Sequence, residues 1–196
     1  MRSCPVLVLA VGALALTACA SDGAPRADTA PAAASVAPSA PAQPPFETRV
    51  VRDGQVLIAP QPLAADLEAL GAKGVRRVIN LRTPEEMATL GFDEAAFAES
   101  KGMGYTLLPV AGNAGFTPAA LDAFSAAMAT GDGDVLLHCA SGTRAAHLYA
   151  AWLVREQGVS PEEAMRRVGP LGLWPLPMER LLDKPLRLDY AETPRG

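Results

Sequence analysis

Histidine is nearly absent from this chain and cysteine is scarce: 196 residues hold 2 histidines and 3 cysteines. With no spaced thiols and two imidazoles, the chain offers no ligand set at metal-binding intervals, so neither a metal nor another cofactor is expected. Aromatic residues make up 5% of the chain and the formal net charge is −4. No basic stripe alternates with aromatics, which excludes the usual electrostatic footprint of nucleic-acid binding. Any anion bound here has to be held by local geometry. Internal repeats are missing too, and the apolar run Val6 to Leu16 is too short for a comfortable membrane span.

What stands at the N-terminus instead has the pattern of a secretion signal: Arg2 supplies positive charge, the apolar run follows, and then come small residues. Leu16-Thr17-Ala18-Cys19 resembles the lipobox of bacterial lipoproteins. That resemblance implies cleavage after residue 18 and lipid on Cys19. Ala20 in the next position points to the outer membrane, so the expected location is the cell envelope, lipid-anchored and facing the periplasm or the extracellular side. Residues 19–45 are almost wholly Ala, Pro, Ser and Thr, a composition that cannot bury enough apolar surface to offset chain entropy. This reads as a tether, and proline-rich chain extends about 3 Å per residue. Residues 46–196 remain as one domain of about 150 residues.

Cys4 leaves with the signal and Cys19 takes lipid, so Cys139 is expected to be the sole thiol of the mature domain. It has no partner for a disulfide in a compartment where disulfides form. A cysteine that merely fills space is the structural alternative.

Along the domain, strands and helices alternate. Arg49 to Ala59 reads as a hairpin about Asp53-Gly54. Pro62 to Leu70 reads as a helix with Leu63, Leu67 and Leu70 on one face, stopped by Gly71. Val75 to Leu81 is a strand, and Thr83-Pro84-Glu85-Glu86 has the form of a capping box. After an acidic, Ala-rich segment from Asp93 to Lys101, "YTLLPV" is a further strand and Thr117-Pro118 opens a helix carrying Leu121, Phe124 and Met128. "DVLLHC" is the last strand; helices follow over Arg144 to Gln157 and from Ser160 to about Val168, with a short one near Met178 to Leu182. The alternation indicates an α/β domain with a largely parallel central sheet.

In such a sheet, ligands bind beyond the carboxyl ends of the strands. There the stretch "VLLHCASGTRAA", Val135 to Ala146, joins a doubly buried strand to a helix through a short loop. Backbone N–H groups at the helix start converge and carry partial positive charge. Gly142 permits the tight turn, and Arg144 has the planar fork that grips two oxygens at once. A cysteine facing such groups drops from a pKa of about 8.5 to 3.5–7.5, the range of reactive thiolates.

"HCASGTR" resembles the signature of cysteine-dependent phosphatases, and the upstream blocks resemble one bacterial branch, the beta-lactamase-hydrolase-like phosphatase-like family. Those blocks are "VLIAPQP" with Gln61-Pro62, "GVRRVINLRTPEE" with Asn80-Leu81-Arg82 and Glu85, and "GYTLLPV". The resemblance implies a tyrosine-phosphatase-like three-layer domain, its central, mostly parallel sheet flanked by helices. It implies Cys139 as nucleophile, Ala140, Ser141, Gly142 and Thr143 as phosphate-binding loop, Arg144 as oxyanion clamp and His138 as the residue that steadies the loop. The expected partner is an anionic substrate, either a phosphoprotein or a small phosphoester, beside the membrane reached through the N-terminal lipid; nucleic acid is not expected.

Three features depart from the commonest pattern of that superfamily. Four residues separate Cys139 from Arg144 where five are usual, Ala145 replaces a hydroxyl residue, and the loop Ala111 to Phe116 carries no carboxyl to act as general acid. A loop this short also suits a rhodanese-type sulfurtransferase carrying a persulfide on Cys139, and a non-catalytic anion-binding domain is the third reading. Arg82 is expected to brace the loop or serve structure alone. Glu85 and Glu86 read as helix-start charges, with Glu85, Glu86 and Asp122 considered as substitute acids. His147, Trp152 and Trp174 read as packing residues.

Overall fold

A computed structural model of the chain describes residues 44–171 and 175–187, all within the unit Ala42–Gly196. The expected signal, the expected lipidation site Cys19, nearly all of the expected tether, and Trp174 lie outside the described residues.

Strand β1 (Val51–Asp53) and strand β2 (Val56–Ala59) form the expected hairpin about Asp53-Gly54, antiparallel with Val51 opposite Ile58. Helix α1 (Ala64–Ala72) leads to β3 (Val75–Asn80), and helices α2 (Pro84–Met87) and α3 (Glu94–Ser100) lead to β4 (Gly104–Leu107). Helix α4 (Pro118–Met128) then returns the chain to β5 (Asp134–His138), followed by α5 (Thr143–Glu156), α6 (Pro161–Arg167) and α7 (Pro175–Leu182). The sheet order is β1-β2-β5-β3-β4, with β5 inserted between β2 and β3. Every pairing except the β1–β2 hairpin is parallel.

The sheet has a core on each face because successive side chains of a strand point to opposite sides. Val56, Ile58, Ile79, Val135 and Leu137 face one side, where Leu121 and Phe124 of α4 and Leu148 and Leu153 of α5 cover them. Leu57, Ala59, Val78 and Leu136 face the other, beneath Leu67 and Leu70 of α1 and Ala98 of α3. This is the layered α/β arrangement expected. Strands β2 and β5 are buried along almost their whole length, which accounts for their unbroken apolar runs where an alternating pattern would mark one wet face.

Two details of α1 differ from expectation. Leu63 is not on the buried face: it precedes the helix as N-cap, its N–H donating to Asp66 Oδ2 at 2.8 Å, and it is 67% exposed. Gly71 does not stop the helix, which runs to Ala72; the chain reverses at Gly74, whose φ of +103° disfavours any residue with a β-carbon. The acidic segment before β4 is itself helical, because Asp93 caps α3 by accepting from Ala96 N–H at 3.0 Å. Of "YTLLPV" only the first half is strand, since β4 lies at the sheet edge and the chain leaves it after Leu107. The short C-terminal helix is longer than the expected Met178 to Leu182 and packs against α4 and α5, where Met178 and Leu181 are buried.

Phe124 is fully buried between α4 and the sheet. Phe124→Ala should therefore destabilise the domain by about 3–5 kcal/mol in urea unfolding.

Candidate active site at the β5–α5 corner

Because β5 lies between β2 and β3, the loop that leaves it is flanked by the ends of both. Leu81 N–H donates to His138 O at 2.9 Å from the β3 side, and Gln61 N–H donates to Ala140 O at 3.2 Å from the β2 side. The turn itself depends on Gly142, the N-cap of α5, with φ +91°. A β-carbon there would also sit 3.2 Å from the carbonyl carbon and oxygen of Ala59. Thr143, read as loop, is the first residue of the helix, and Ala146 N–H closes its first turn on Gly142 O at 2.9 Å.

Within this corner Cys139 is fully buried, and Gly142 N–H donates to its Sγ at 3.1 Å. Ala140 and Ser141 are exposed, and Ser141 Oγ lies 3.2 Å from Thr143 Oγ1. Two cavities of about 510 and 560 Å3 meet at Ala140; Arg49 lines both, with Ser141, Pro60 and Leu171 on the first and Gln61 on the second.

Arg144 stands beside the sulfur, but its fork does not lie open. Nη1 donates to Glu86 Oε2 at 2.8 Å, Val110 O at 2.9 Å and Leu81 O at 3.3 Å, while Nη2 donates to Glu86 Oε1 at 2.7 Å. The two-oxygen grip expected for a bound anion is thus made on a carboxylate of the protein. The Glu86 carboxylate, first, and the Cys139 sulfur both favour the charged guanidinium, against partial burial, and hold Arg144 above its ordinary value. Reciprocally, the bond from Arg144 holds the Glu86 carboxyl down at about 2 in spite of desolvation, with the Thr83 N–H and the Arg82 charge adding to it. Glu86 does cap α2 with Thr83 as the sequence suggests. It is more than a helix-start charge, however, and a carboxyl this acidic cannot serve as a proton donor near neutrality. Glu85 is fully exposed.

The other expected candidates separate clearly. Arg82 does brace this region: its N–H donates to Asn80 Oδ1 at 2.8 Å, Nη2 to Glu86 O at 2.9 Å and Nη1 to Gln61 Oε1 at 2.6 Å. Asp122 pairs with Arg155 at 2.7 Å, near the far end of α5, so it is no substitute acid. His147 is buried, with Nδ1 2.8 Å from Thr143 O and its ring 5.5 Å from that of Phe116. Trp152 stacks on Tyr149 at 5.7 Å. Asn113 offers its backbone oxygen to Arg180 of α7 at 3.1 Å, which ties the acid-free 111–116 loop to the C-terminal helix. Among the described residues no group of three or more His, Cys, Asp or Glu side chains could hold a metal ion.

Two residues at the site have roles that no local pattern assigns. Glu94 sits in the first turn of α3, where an acid is ordinarily a solvated helix-start charge, yet it is buried with Oε1 2.7 Å from His138 Nε2. Gln61 joins it to Arg82, donating from Nε2 to Glu94 Oε2 at 2.5 Å. Gln61 stands in the Gln61-Pro62 pair that carries part of the family resemblance, but nothing in that pair records its partners; only a pattern of buried polar groups shared by related chains could have marked Glu94.

Gly142→Ala should cost about 1–3 kcal/mol, read by thermal or denaturant unfolding, through its positive φ and the approach to Ala59. Glu86 gives a pH signature. Its carboxyl is lower when folded, about 2 against 4.5, so its stabilisation is complete above the unfolded value and is lost as pH falls towards the folded one. Acid titrations of stability should show the parent losing more than Glu86→Gln between those limits.

Comparison with known proteins follows the same outline. The family model for the beta-lactamase hydrolase-like protein, phosphatase-like domain, matches residues 47–154, more than half of the chain. A beta-lactamase hydrolase-like protein of Xylella fastidiosa is 42% identical over 98 residues, which is 49% of this chain and 22% of the relative. The chain thus spans about a fifth of the length of the curated relatives it matches. Among solved structures, a candidate phosphatase from Neisseria meningitidis Z2491 is similar at 25% identity and TM-score 0.53, covering 62% of this chain and 86% of that one. A candidate phosphatase from Shewanella putrefaciens CN-32 is similar at 26% identity and TM-score 0.55, covering 69% and 89%. Tyrosine-phosphatase-like proteins share the fold. With a parallel sheet of this topology and a His-Cys-loop-Arg corner at its carboxyl edge, the chain belongs to the beta-lactamase hydrolase-like, phosphatase-like domain family.

Proposed function

We propose that this domain hydrolyses phosphoesters through a phosphocysteine intermediate on Cys139. The single observation carrying this reading is the sulfur's setting: a helix-start N–H at 3.1 Å and a guanidinium alongside, in a loop that opens at Ala140 and Ser141. Those surroundings are the ones in which cysteine reacts as a thiolate. The sulfur attacks phosphorus, the S–P bond forms as the bond to the leaving oxygen breaks, and water then releases inorganic phosphate and restores the thiol. Loop N–H groups and the positive charge of Arg144, held in place by Glu86, compensate the equatorial oxygens. The cavities beside Ala140 offer room for the leaving group.

The 111–116 loop has no carboxyl, and Glu86 is already ionised near neutrality. Protonation of the leaving group by a general acid contributes about 10²–10⁴-fold. Without one, aryl phosphates, whose phenolate departs unaided, are the better substrates, and alkyl phosphates lag by a factor of that order. The domain works at the cell envelope, held there by lipid on Cys19.

The purified full-length chain should release phosphate from an aryl phosphate, and Cys139→Ser should reduce this to background; activity surviving that change would reject the mechanism. Release of thiocyanate from thiosulfate and cyanide in place of phosphate would move the assignment to sulfur transfer, which the four-residue loop also accommodates. Cys19→Ser should shift the protein from the membrane fraction to the soluble fraction of a bacterial host, and retention on the membrane would refute the lipid anchor.

A further inference from the structure

The proposed chemistry leaves one buried ionisable pair without a task. His138, immediately before Cys139, is fully buried, and Glu94 is 2% exposed. Their side chains meet at 2.7 Å, Nε2 to Oε1, without the alignment of a linear hydrogen bond. A carboxylate oxygen and a bare imidazole nitrogen are both acceptors and would repel at that distance, so one proton lies between them. Burying such a pair is costly unless it is satisfied on its other sides. Here the second oxygen of Glu94 accepts from Gln61, whose own oxygen accepts from Arg82, and Arg82 donates to the backbone of Glu86. Glu86 in turn grips Arg144. Polar contacts therefore run outside the loop from the residue before the nucleophile to the arginine after it.

We infer that Glu94 is a positioning residue: it fixes the His138 ring and its shared proton against Cys139, and through Gln61 and Arg82 it ties that end of the loop to the end held by Glu86 and Arg144. This rests on Cys139 being the reactive group. A buried carboxylate that accepts from an imidazole N–H selects one ring orientation and one tautomer, and so sets what the ring presents to the neighbouring sulfur. Glu94 shares the surroundings of Tyr105 on β4 with Asp93, the N-cap of α3, and with Arg82 beyond β3, and Cys139 directly follows His138. Burial, with the charges of Glu94 and Asp93 adding, pushes Tyr105 up to about 12, so it stays neutral across the working range.

The test is iodoacetamide alkylation of Cys139 in the full chain, followed by mass spectrometry over a range of pH. Glu94→Gln, similar in shape but unable to hold the charge, should slow alkylation near neutrality about tenfold and displace its pH dependence upward. In a His138→Asn background the same change should add nothing, because Glu94 acts through the ring. Asp122→Asn, distant from the site, serves as control at the parental rate. Parental alkylation by Glu94→Gln, or an undiminished effect in the His138→Asn background, would overturn the inference. Should Glu94→Gln fail to fold, the parent supplies the answer: a slowly exchanging, downfield imidazole proton that moves when Cys139 is alkylated supports the relay, and a fast-exchanging or unresponsive one refutes it. Alkylation does not require turnover, so a chain that released no phosphate yet showed these effects would reject the phosphatase reading alone.

Discussion

A sulfur at the end of a central strand lies where backbone from three strands converges, and the β5–α5 corner can form only if the chain turns into a helix without a side chain in the way. Gly142 meets that condition, with a positive φ and only 3.2 Å between its missing β-carbon and Ala59. The neighbouring strand ends then take up the loop's carbonyls, His138 O by Leu81 and Ala140 O by Gln61. With both sides pinned, the helix start cannot drift away from Cys139, and the Gly142 N–H remains directed at the sulfur. The rest of the site is arranged around that fixed point.

Charge is the second problem the fold solves here. Arg144 lies beside the sulfur and is largely screened from water, with a side chain 16% exposed, so its charge requires compensation from the protein. Glu86 provides it through both oxygens, and the carbonyls of Leu81 and Val110 take a further bond each. Glu86 comes from the short helix after β3, and Val110 from the chain leaving β4. The guanidinium thus joins the chain after β3 to the chain after β4 on one side of β5, while Gln61, just past β2 on the other side, reaches across to Arg82 after β3 and to Glu94 on α3. A carboxylate drawn this strongly to Arg144 is removed from proton transfer near neutrality, in keeping with the proposed reaction, in which the leaving group departs unassisted.

Much of this was legible along the chain. The apolar runs of β2 and β5, the capping box at Thr83 and Glu86, the hairpin at Asp53-Gly54 and the His-Cys-loop-Arg stretch are all local patterns, with partners at most a few residues away. Errors arose where a local pattern allowed two outcomes. Gly71 looked like a stop, yet the reversal waited for Gly74, and Leu63 had the spacing of a core residue but stands outside the helix. Glu86 satisfied one role in sequence and holds a second in space. Asp122 follows the acid-free loop in sequence but in the fold turns from α4 to Arg155 near the far end of α5.

Periodicity, capping and turn chemistry act between near neighbours, so the α/β alternation, the strand–loop–helix corner and the residue types at it can be read along the chain. Which distant groups meet at that corner follows from the folded arrangement: Glu86 on Arg144, Glu94 on His138, and Gln61 and Arg82 between them. These are contacts across 44 to 58 positions for the two acid–base pairs, and they exist because inserting β5 between β2 and β3 brings the ends of separate segments to one edge of the sheet. A buried charge has to find its partner there, and no spacing along the chain records where that partner will come from.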